Sequence, residues 1–298
     1  MNNPLFTIST VERDTGLAKD TLRVWERRYG FPSPDRDANG ERLYSAPQVE
    51  RLRLIKRLMD QGFRPGRLMK VEDAELLALS AGPLHAQAGT DDETLTEIIG
   101  RIRSNDVVAL RSTLTQTLHR QGLQRFVLET VPLLNTAVGD AWMRGQIEVF
   151  EEHLYTEQMQ TLLRQAIIAL PAGPGRPCVM LTTVSEEQHV LGLLMSECLL
   201  TLEGANCISL GTQTPLADIA RAARAHAVDI VALSFSSAFP SRQAGPLLAQ
   251  LRTMLPDTIA LWAGGGGCPR NAEIDGVCII DSLAGILDEL AAWRAAHA

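Results

Sequence analysis

The spacing of hydrophobic residues takes three forms along this chain, and each predicts its own arrangement of elements. From Thr7 to Glu75 the apolar positions recur at three- and four-residue intervals in short bursts. A short helix before Gly16 and a second over 18–30 follow, with Leu22 and Trp25 on the inward face of the second. Gly30 closes that helix, and Pro32 and Pro34 prevent its continuation. Asn39-Gly40 is a turn dipeptide that predicts a tight hairpin, a wing beside the helix pair. Val49, Leu52, Ile55 and Met59 give an amphipathic helix over 46–62, and one further helix is expected over 64–75. From Asp91 to Leu170 the helical period runs on, broken at Ser104-Asn105-Asp106, Gly122 and Gly145. That predicts helices over 92–103, 105–120, 122–143 and 147–170, a small antiparallel four-helix bundle. Past Pro177 the period switches to short apolar runs alternating with helical stretches. Strands are expected at 178–184, 205–211, 229–236, 258–264 and 277–281, with helices at 190–203, 215–227, 241–255 and 283–295. Such alternation is that of a parallel sheet covered by helices on both faces.

Two compositional breaks separate these regimes. Residues 80–92 are small and polar, and 171–177 are rich in proline and glycine, as linkers are. The expected organisation is a helix-turn-helix with wing over 1–78, a linker over 79–91, a helical bundle over 92–172 and an α/β domain over 176–298. His85, in the first linker, reads as solvated.

Charge sharpens the first region. Residues 1–70 hold 14 Lys and Arg against 9 Asp and Glu, whereas the remainder holds 14 against 26. A basic head on an acidic body predicts a module for a polyanion joined to something else. Arg23, Arg27 and Arg28 share the outward side of the second helix, where they can meet phosphates or base edges, and Arg36 and Arg42 flank the wing. The five cysteines show no C-x-x-C spacing and sit in apolar runs, so reduced cytosolic thiols are expected rather than a disulfide framework or a zinc site. No apolar run approaches the roughly 18 residues of a membrane span, and the N-terminus lacks the parts of a signal peptide; a cytoplasmic protein is expected.

Candidate chemistry gathers in the last region. Glu187-Gln188-His189-Val190-Leu191-Gly192 follows a strand and precedes a helix, which places the imidazole at the carboxyl edge of a parallel sheet. A carboxylate two residues earlier can hold one ring nitrogen and leave the other for a metal. Ser234-Phe235-Ser236 and the run Gly264-Gly265-Gly266-Gly267 fall near the same edge; the glycines either let a flat ligand approach backbone or form only a loose turn. Upstream, Trp142 is followed after nine residues by Glu152 and His153, which are core plus surface or the lid of a pocket.

The opening segment, with Arg23-Val24-Trp25-Glu26-Arg27-Arg28-Tyr29-Gly30 as its most specific part, resembles the MerR family of transcription regulators over about 75 residues. The resemblance implies an oligomer, dimer or tetramer, on double-stranded operator DNA, with Arg23, Arg27, Arg28, Tyr29, Arg36, Arg42 and Tyr44 as DNA-binding residues. It departs from the usual MerR plan in lacking one long coiled-coil helix after the head. The ordered series E-x-H-x-x-G, serine and glycine run resembles the cobalamin-binding domain of methionine synthase and of corrinoid-dependent mutases, a Rossmann-like (flavodoxin-like) fold. Head, bundle and corrin fold together resemble the CarH/LitR group of cobalamin-dependent photoreceptor regulators. That resemblance implies adenosylcobalamin, a cobalt corrinoid, with His189 as lower cobalt ligand and Glu187 as its partner. It also implies that Ser234, Gly264, Gly265 and Gly266 line the buried nucleotide tail, that Trp142, Glu152 and His153 cap the upper face, and that Gly192, Ser236 and Met143 belong to the cofactor-binding set. Met143 stands where light-sensing members commonly carry a histidine. The readings kept open are a light-responsive repressor and a MerR-like regulator with a light-independent or vestigial corrin site, whose C-terminal half serves protein contacts or another tetrapyrrole. An enzymatic methyl carrier is set aside, because no substrate barrel accompanies the fold.

Overall fold

Glycine and threonine punctuate the first helices as their local chemistry requires. In the computed structural model, which describes residues 5–60, 63–80, 91–143, 145–171, 175–269 and 273–297, β1 (Leu5–Thr7) leads straight into α1 (Ile8–Thr15). Thr7 Oγ1 accepts from the Thr10 amide to cap that helix, and Gly16, with φ of 68°, closes it. The helix α2 (Lys19–Tyr29) has no capping side chain of its own, and Glu12 supplies one by accepting from the Lys19 amide at 3.1 Å. Leu22 and Trp25 are buried as their spacing predicts.

The wing is built differently from the tight two-residue hairpin expected. Strands β2 (Asp35–Arg36) and β3 (Arg42–Ser45) pair antiparallel, with β1 on the other side of β3. Between them the Gly40 amide donates to the Asp37 carbonyl, and the Asp37 amide donates to the Glu41 carbonyl. Gly40 has φ of 81° and Asn39 stays at negative φ, the arrangement of a turn followed by a one-residue bulge. The Asp37 carboxylate accepts from the Asn39 and Glu41 amides and holds that shape. The single helix expected over 64–75 is also corrected: α3 (Ala46–Asp60) is followed by two short helices, α4 (Pro65–Leu68) and α5 (Asp73–Ser80). Arg51 of α3 bridges the break: its guanidinium donates to the Val71 carbonyl at 2.7 Å, a group left without a helical partner there, and pairs with Asp73.

The chain divides into two compact units, residues 1–88 with 140–146, and residues 89–139 with 147–298. Most of the linker expected over 79–91, with His85, and part of the second, 172–174, lie outside the described residues. In the second unit, α6 (Asp91–Arg103), α7 (Val107–Gln121) and α10 (Val149–Ala169) pack on one another. The remaining bundle helix is not the uninterrupted one expected over 122–143. It runs as α8 (Leu123–Arg125), a π turn over Phe126–Thr130, and α9 (Val131–Met143). The π turn buries Phe126, Val127 and Thr130, and the Thr130 hydroxyl donates to Gln121 Oε1 at 2.6 Å.

The sheet follows the sequence reading closely. Strands β4 (Cys178–Val184), β5 (Asn206–Thr214), β6 (Ile230–Ser234), β7 (Ala260–Gly264) and β8 (Val277–Ile280) are all parallel, in the order β5-β4-β6-β7-β8. Helices α11 (Leu191–Leu202), α12 (Leu216–Ala225), α13 (Ser241–Met254) and α14 (Gly285–Ala296) complete it. One face packs Met180, Val231, Leu233 and Leu261 against α12 and α13, and α11 and α14 meet on the other. This order reverses direction at β4 and β6, and the crevice beyond those two strand ends is where open α/β sheets bind ligands. Among the described residues no helix is long and apolar enough to cross a membrane.

Candidate functional site

At the crevice, β4 ends in a turn that brings Glu187 inward and leaves His189 half-exposed. The Glu187 carboxylate is almost wholly buried and accepts four hydrogen bonds. Oε1 takes the His189 ring Nδ1 at 2.6 Å and the His189 amide at 2.9 Å. Oε2 takes the Ser236 amide at 2.7 Å and the Ser236 hydroxyl at 2.8 Å. Burial alone would push this carboxyl up; the His189 and Ser236 hydrogen bonds more than offset it and hold the group below its ordinary range. A carboxylate at Nδ1 makes that nitrogen the donor, and in the neutral ring this leaves the lone pair on Nε2. The Ser236 hydroxyl lies 2.9 Å from Nδ1 as well, closing a three-residue cluster across the β4 and β6 loops. Ser236, expected among the cofactor-binding residues, hydrogen-bonds Glu187 and His189.

Beside this cluster lies a cavity of about 210 Å³. Strand alternation decides what lines it. Residues that face α12 and α13 alternate with Leu181, Ala232, Ser234, Trp262 and Gly264, which face α11 and α14. On α11 the lining residues Gly192, Ser196 and Leu200 recur every fourth position, one helix face. The cavity exists because the facing positions are small: a Cβ on Gly192 would stand 2.8 Å from Ser234 Oγ. The glycine run is no loose turn. Gly265 has φ of 103°, and a Cβ there would meet the Phe235 carbonyl oxygen at 2.1 Å. The Phe235 and Gly267 amides cross-link this loop to the one after β6. Gly264, Gly265 and Gly266 all border the cavity, as do Gly192 and Ser234. The contributions of Leu181, Ala232 and Trp262 were missed; the small residues at two-residue spacing on β6, Ala232 and Ser234, were the available signal.

The expected cap is distributed. Glu152 and His153 lie in the first turns of α10, where His153 Nδ1 pairs with Glu152 Oε2 at 2.7 Å and Glu152 Oε1 accepts from Thr156. His153 is largely exposed. Glu151 anchors the start of this helix by accepting from the Glu148 amide, and buried Tyr155 donates to Asn135 of α9 at 2.7 Å. Trp142 is half-buried in the last turn of α9 and falls in the segment 140–146 of the other unit. The Met143 side chain lies outside the described residues.

On the basic head, Arg23, Arg27, Arg28 and Arg36 are exposed, and the Arg28 guanidinium stacks over the Tyr29 ring at 5.3 Å. Arg42 is turned inward: Nε donates to Glu26 Oε2 at 2.6 Å, which ties the wing to α2. Glu26 thus organises this face, a role that only the packing reveals. Tyr44 is a correction. Expected among the DNA-facing residues, it is fully buried, because β3 alternation turns it toward the core of Val11, Leu22 and Leu52. Its hydroxyl is buried without a hydrogen-bond partner among the described residues, and burial raises its pKa.

Residues 6–75 match the MerR HTH family regulatory protein model. The HTH-type transcriptional repressor CarH of Myxococcus xanthus is 30% identical over 275 residues, covering 90% of this chain and 91% of its own. The HTH-type transcriptional repressor CarA of the same organism is 31% identical over 271 residues, covering 89% and 88%. Among solved structures, a Methanosarcina barkeri monomethylamine corrinoid protein aligns with 68% of this chain and 100% of its own, at a TM-score of 0.54 and 15% identity. At that identity the likeness concerns the fold alone.

Proposed function

This chain belongs to the CarH/LitR family of MerR-type transcription regulators, and we propose that it is a cytoplasmic repressor that binds adenosylcobalamin through His189 and releases operator DNA on illumination. The observation that carries the reading is the Glu187–His189–Ser236 cluster, with Nδ1 occupied and Nε2 left to a metal, beside an apolar cavity at the switch point of the sheet. Among the described residues no three His, Cys, Asp or Glu side chains group as metal ligands. A lone imidazole offers one donor, which suits a cobalt that brings its equatorial ligands with the corrin ring. The cavity fits the displaced nucleotide tail in kind: Gly192, Ala232, Ser234 and Gly264 to Gly266 leave room between larger apolar lining residues such as Leu181 and Trp262. Bound adenosylcobalamin would supply the chromophore and a photolabile cobalt–carbon bond.

In this reading His189 and Glu187 hold the cofactor's lower side, Gly192, Ser234 and Gly264 to Gly266 admit its tail, and Glu152 and His153 sense the upper side. Arg23, Arg27, Arg28 and Arg36 carry the operator contacts within residues 1–78. A change of packing around Trp142 would shift the equilibrium between a DNA-binding homo-oligomer, dimer or tetramer, and its separated form. Reconstitution with adenosylcobalamin in the dark, with mass and operator binding measured before and after green light, tests this; neither quantity changing would end it.

Met143 favours a second reading of the illuminated state. A thioether is a poor ligand for cobalt(III), so this chain would finish with water or another group on the upper face, or respond to the cofactor without light. A dark-to-light absorption spectrum separates these outcomes.

A further inference from the structure

One hydroxyl near the cluster makes two hydrogen bonds that the Glu187–His189–Ser236 contacts do not account for. Thr183, near the end of β4, is fully buried. Its Oγ1 donates to the Glu187 carbonyl at 2.6 Å and accepts from the Gln213 amide at 2.9 Å. Gln213 adopts φ of 62°, a left-handed conformation that a residue with a Cβ rarely takes. That kink in the edge strand β5 accompanies shifts of the β4–β5 register on either side of Thr182. Gln213 also reaches back with its side chain, Nε2 donating to the Ser185 carbonyl at 3.4 Å. The edge strand therefore grips the 183–187 turn at two points, Thr183 and Ser185.

We propose that Thr183, held by left-handed Gln213, is a positioning residue for His189. It fixes the carbonyl of Glu187 and, through the Glu187 carboxylate, the height and direction at which the imidazole presents Nε2. The Thr183 hydroxyl gives its one proton to the Glu187 carbonyl and accepts from the Gln213 amide, so it acts as a buried spacer between edge strand and loop. The inference rests on the reading of His189 as lower ligand. It explains why a strained residue persists in a strand that could otherwise run regularly: the kink turns an amide toward the loop.

The fold supplies its own control. Thr182, also fully buried, bonds the same edge strand through the Gly211 carbonyl at 3.0 Å and Thr214 Oγ1 at 2.8 Å and reaches the Thr183 carbonyl at 3.3 Å, and among the described residues none of its hydrogen bonds goes to Glu187 or His189. Thr183→Val and Thr182→Val remove comparable buried hydroxyls at equal volume, but only the first releases the Glu187 carbonyl.

The experiment uses the full chain and three readouts: the absorption spectrum with cobalamin, its dissociation constant, and amide hydrogen exchange of the apoprotein at His189. In Thr183→Val the spectrum should move from the His-ligated form toward the form carrying the cofactor's own base. Affinity should fall roughly ten- to a hundredfold, the range for loss of an outer partner of a metal ligand, and the His189 amide should exchange faster. Thr183→Ser should restore all three. Thr182→Val should lower stability comparably yet leave the spectrum His-ligated. Equal spectral and affinity changes in both valine variants, no change in Thr183→Val, or no rescue by serine would overturn the proposal. Should Thr183→Val not fold, Thr183→Ala removes the same hydroxyl without putting a second methyl group in its place; a spectrum shifted from the His-ligated form supports the proposal and an unaltered spectrum overturns it. A wild-type protein with no His-ligated spectrum, or one indistinguishable from His189→Ala, overturns the reading of His189 itself.

Discussion

Glu26 in the basic head and Glu187 in the α/β domain both organise a cationic or imidazole partner, yet they do so at different depths. The Glu26 side chain is 28% exposed and holds Arg42 between helix and wing. The Glu187 side chain is 2% exposed and accepts four hydrogen bonds. Solvent screens the first, so its worth is modest and its function is to steer where a guanidinium sits. The second has no water to fall back on, so each of its partners must be present and in place. The difference separates a surface that works by exposed charge from a site that works by buried geometry.

The largest effect should come from breaking the deeper network. Glu187→Ala strands the Ser236 and His189 amides and frees the His189 ring; urea unfolding should show a loss of about 3 kcal/mol, as for removal of one partner from a buried charged network. Operator binding by the head should survive in the absence of cofactor.

Asp229 stands between the two extremes, at 19% exposed, accepting from the Cys178 amide and pairing with Arg176. Burial pushes its carboxyl up, but the Arg176 and Cys178 hydrogen bonds outweigh that and hold it below the ordinary value. A depressed folded pKa means the contribution is present above the unfolded carboxylate value of roughly 3.9 and is lost as pH falls through the folded value. Asp229→Asn should therefore lower stability at neutral pH and flatten the acid limb of the stability profile. A profile parallel to wild type down to the acid limit would remove Asp229 from this role.

At the exposed end, Glu26→Gln should change stability by only about 0.5 kcal/mol. It should nonetheless reduce operator affinity severalfold, because Arg42 and the wing lose their tie to α2; a band-shift titration at fixed salt reads this. The smallest effect is the sharpest in sign. Tyr44→Phe removes a buried hydroxyl with no partner among the described residues, and should leave stability unchanged or raise it by up to about 1 kcal/mol with operator binding intact. A large loss of operator binding would return Tyr44 to the DNA-facing set.

The same contrast governs what could be read beforehand. The exposed arginines of α2 were legible, because a helix period assigns each residue to a side and Leu22 and Trp25 mark the inner one. Tyr44 was misplaced because a strand of four residues is too short for its alternation to speak from sequence. In the α/β domain all five strands fell within a few residues of expectation, since apolar runs of that length bounded by glycine and proline leave few alternatives. The π turn at Phe126–Thr130 and the Gln213 kink carried no such mark. Each arises where one backbone segment adjusts to another, and no local pattern encodes that adjustment.

The sequence alone determined the kinds of element, their order, the basic outer face of α2 and the approach of Glu187 to His189, because these depend on periods and spacings within a few residues. Only the tertiary structure decided that Ser236 completes the Glu187 cluster, that Gly192 must lack a Cβ against Ser234, and that Thr183 and Gln213 clasp the histidine loop. Those partners lie between 30 and 49 residues apart in the chain. They meet because parallel strands carry distant loops to one edge of the sheet, where buried polar groups must find partners in one another.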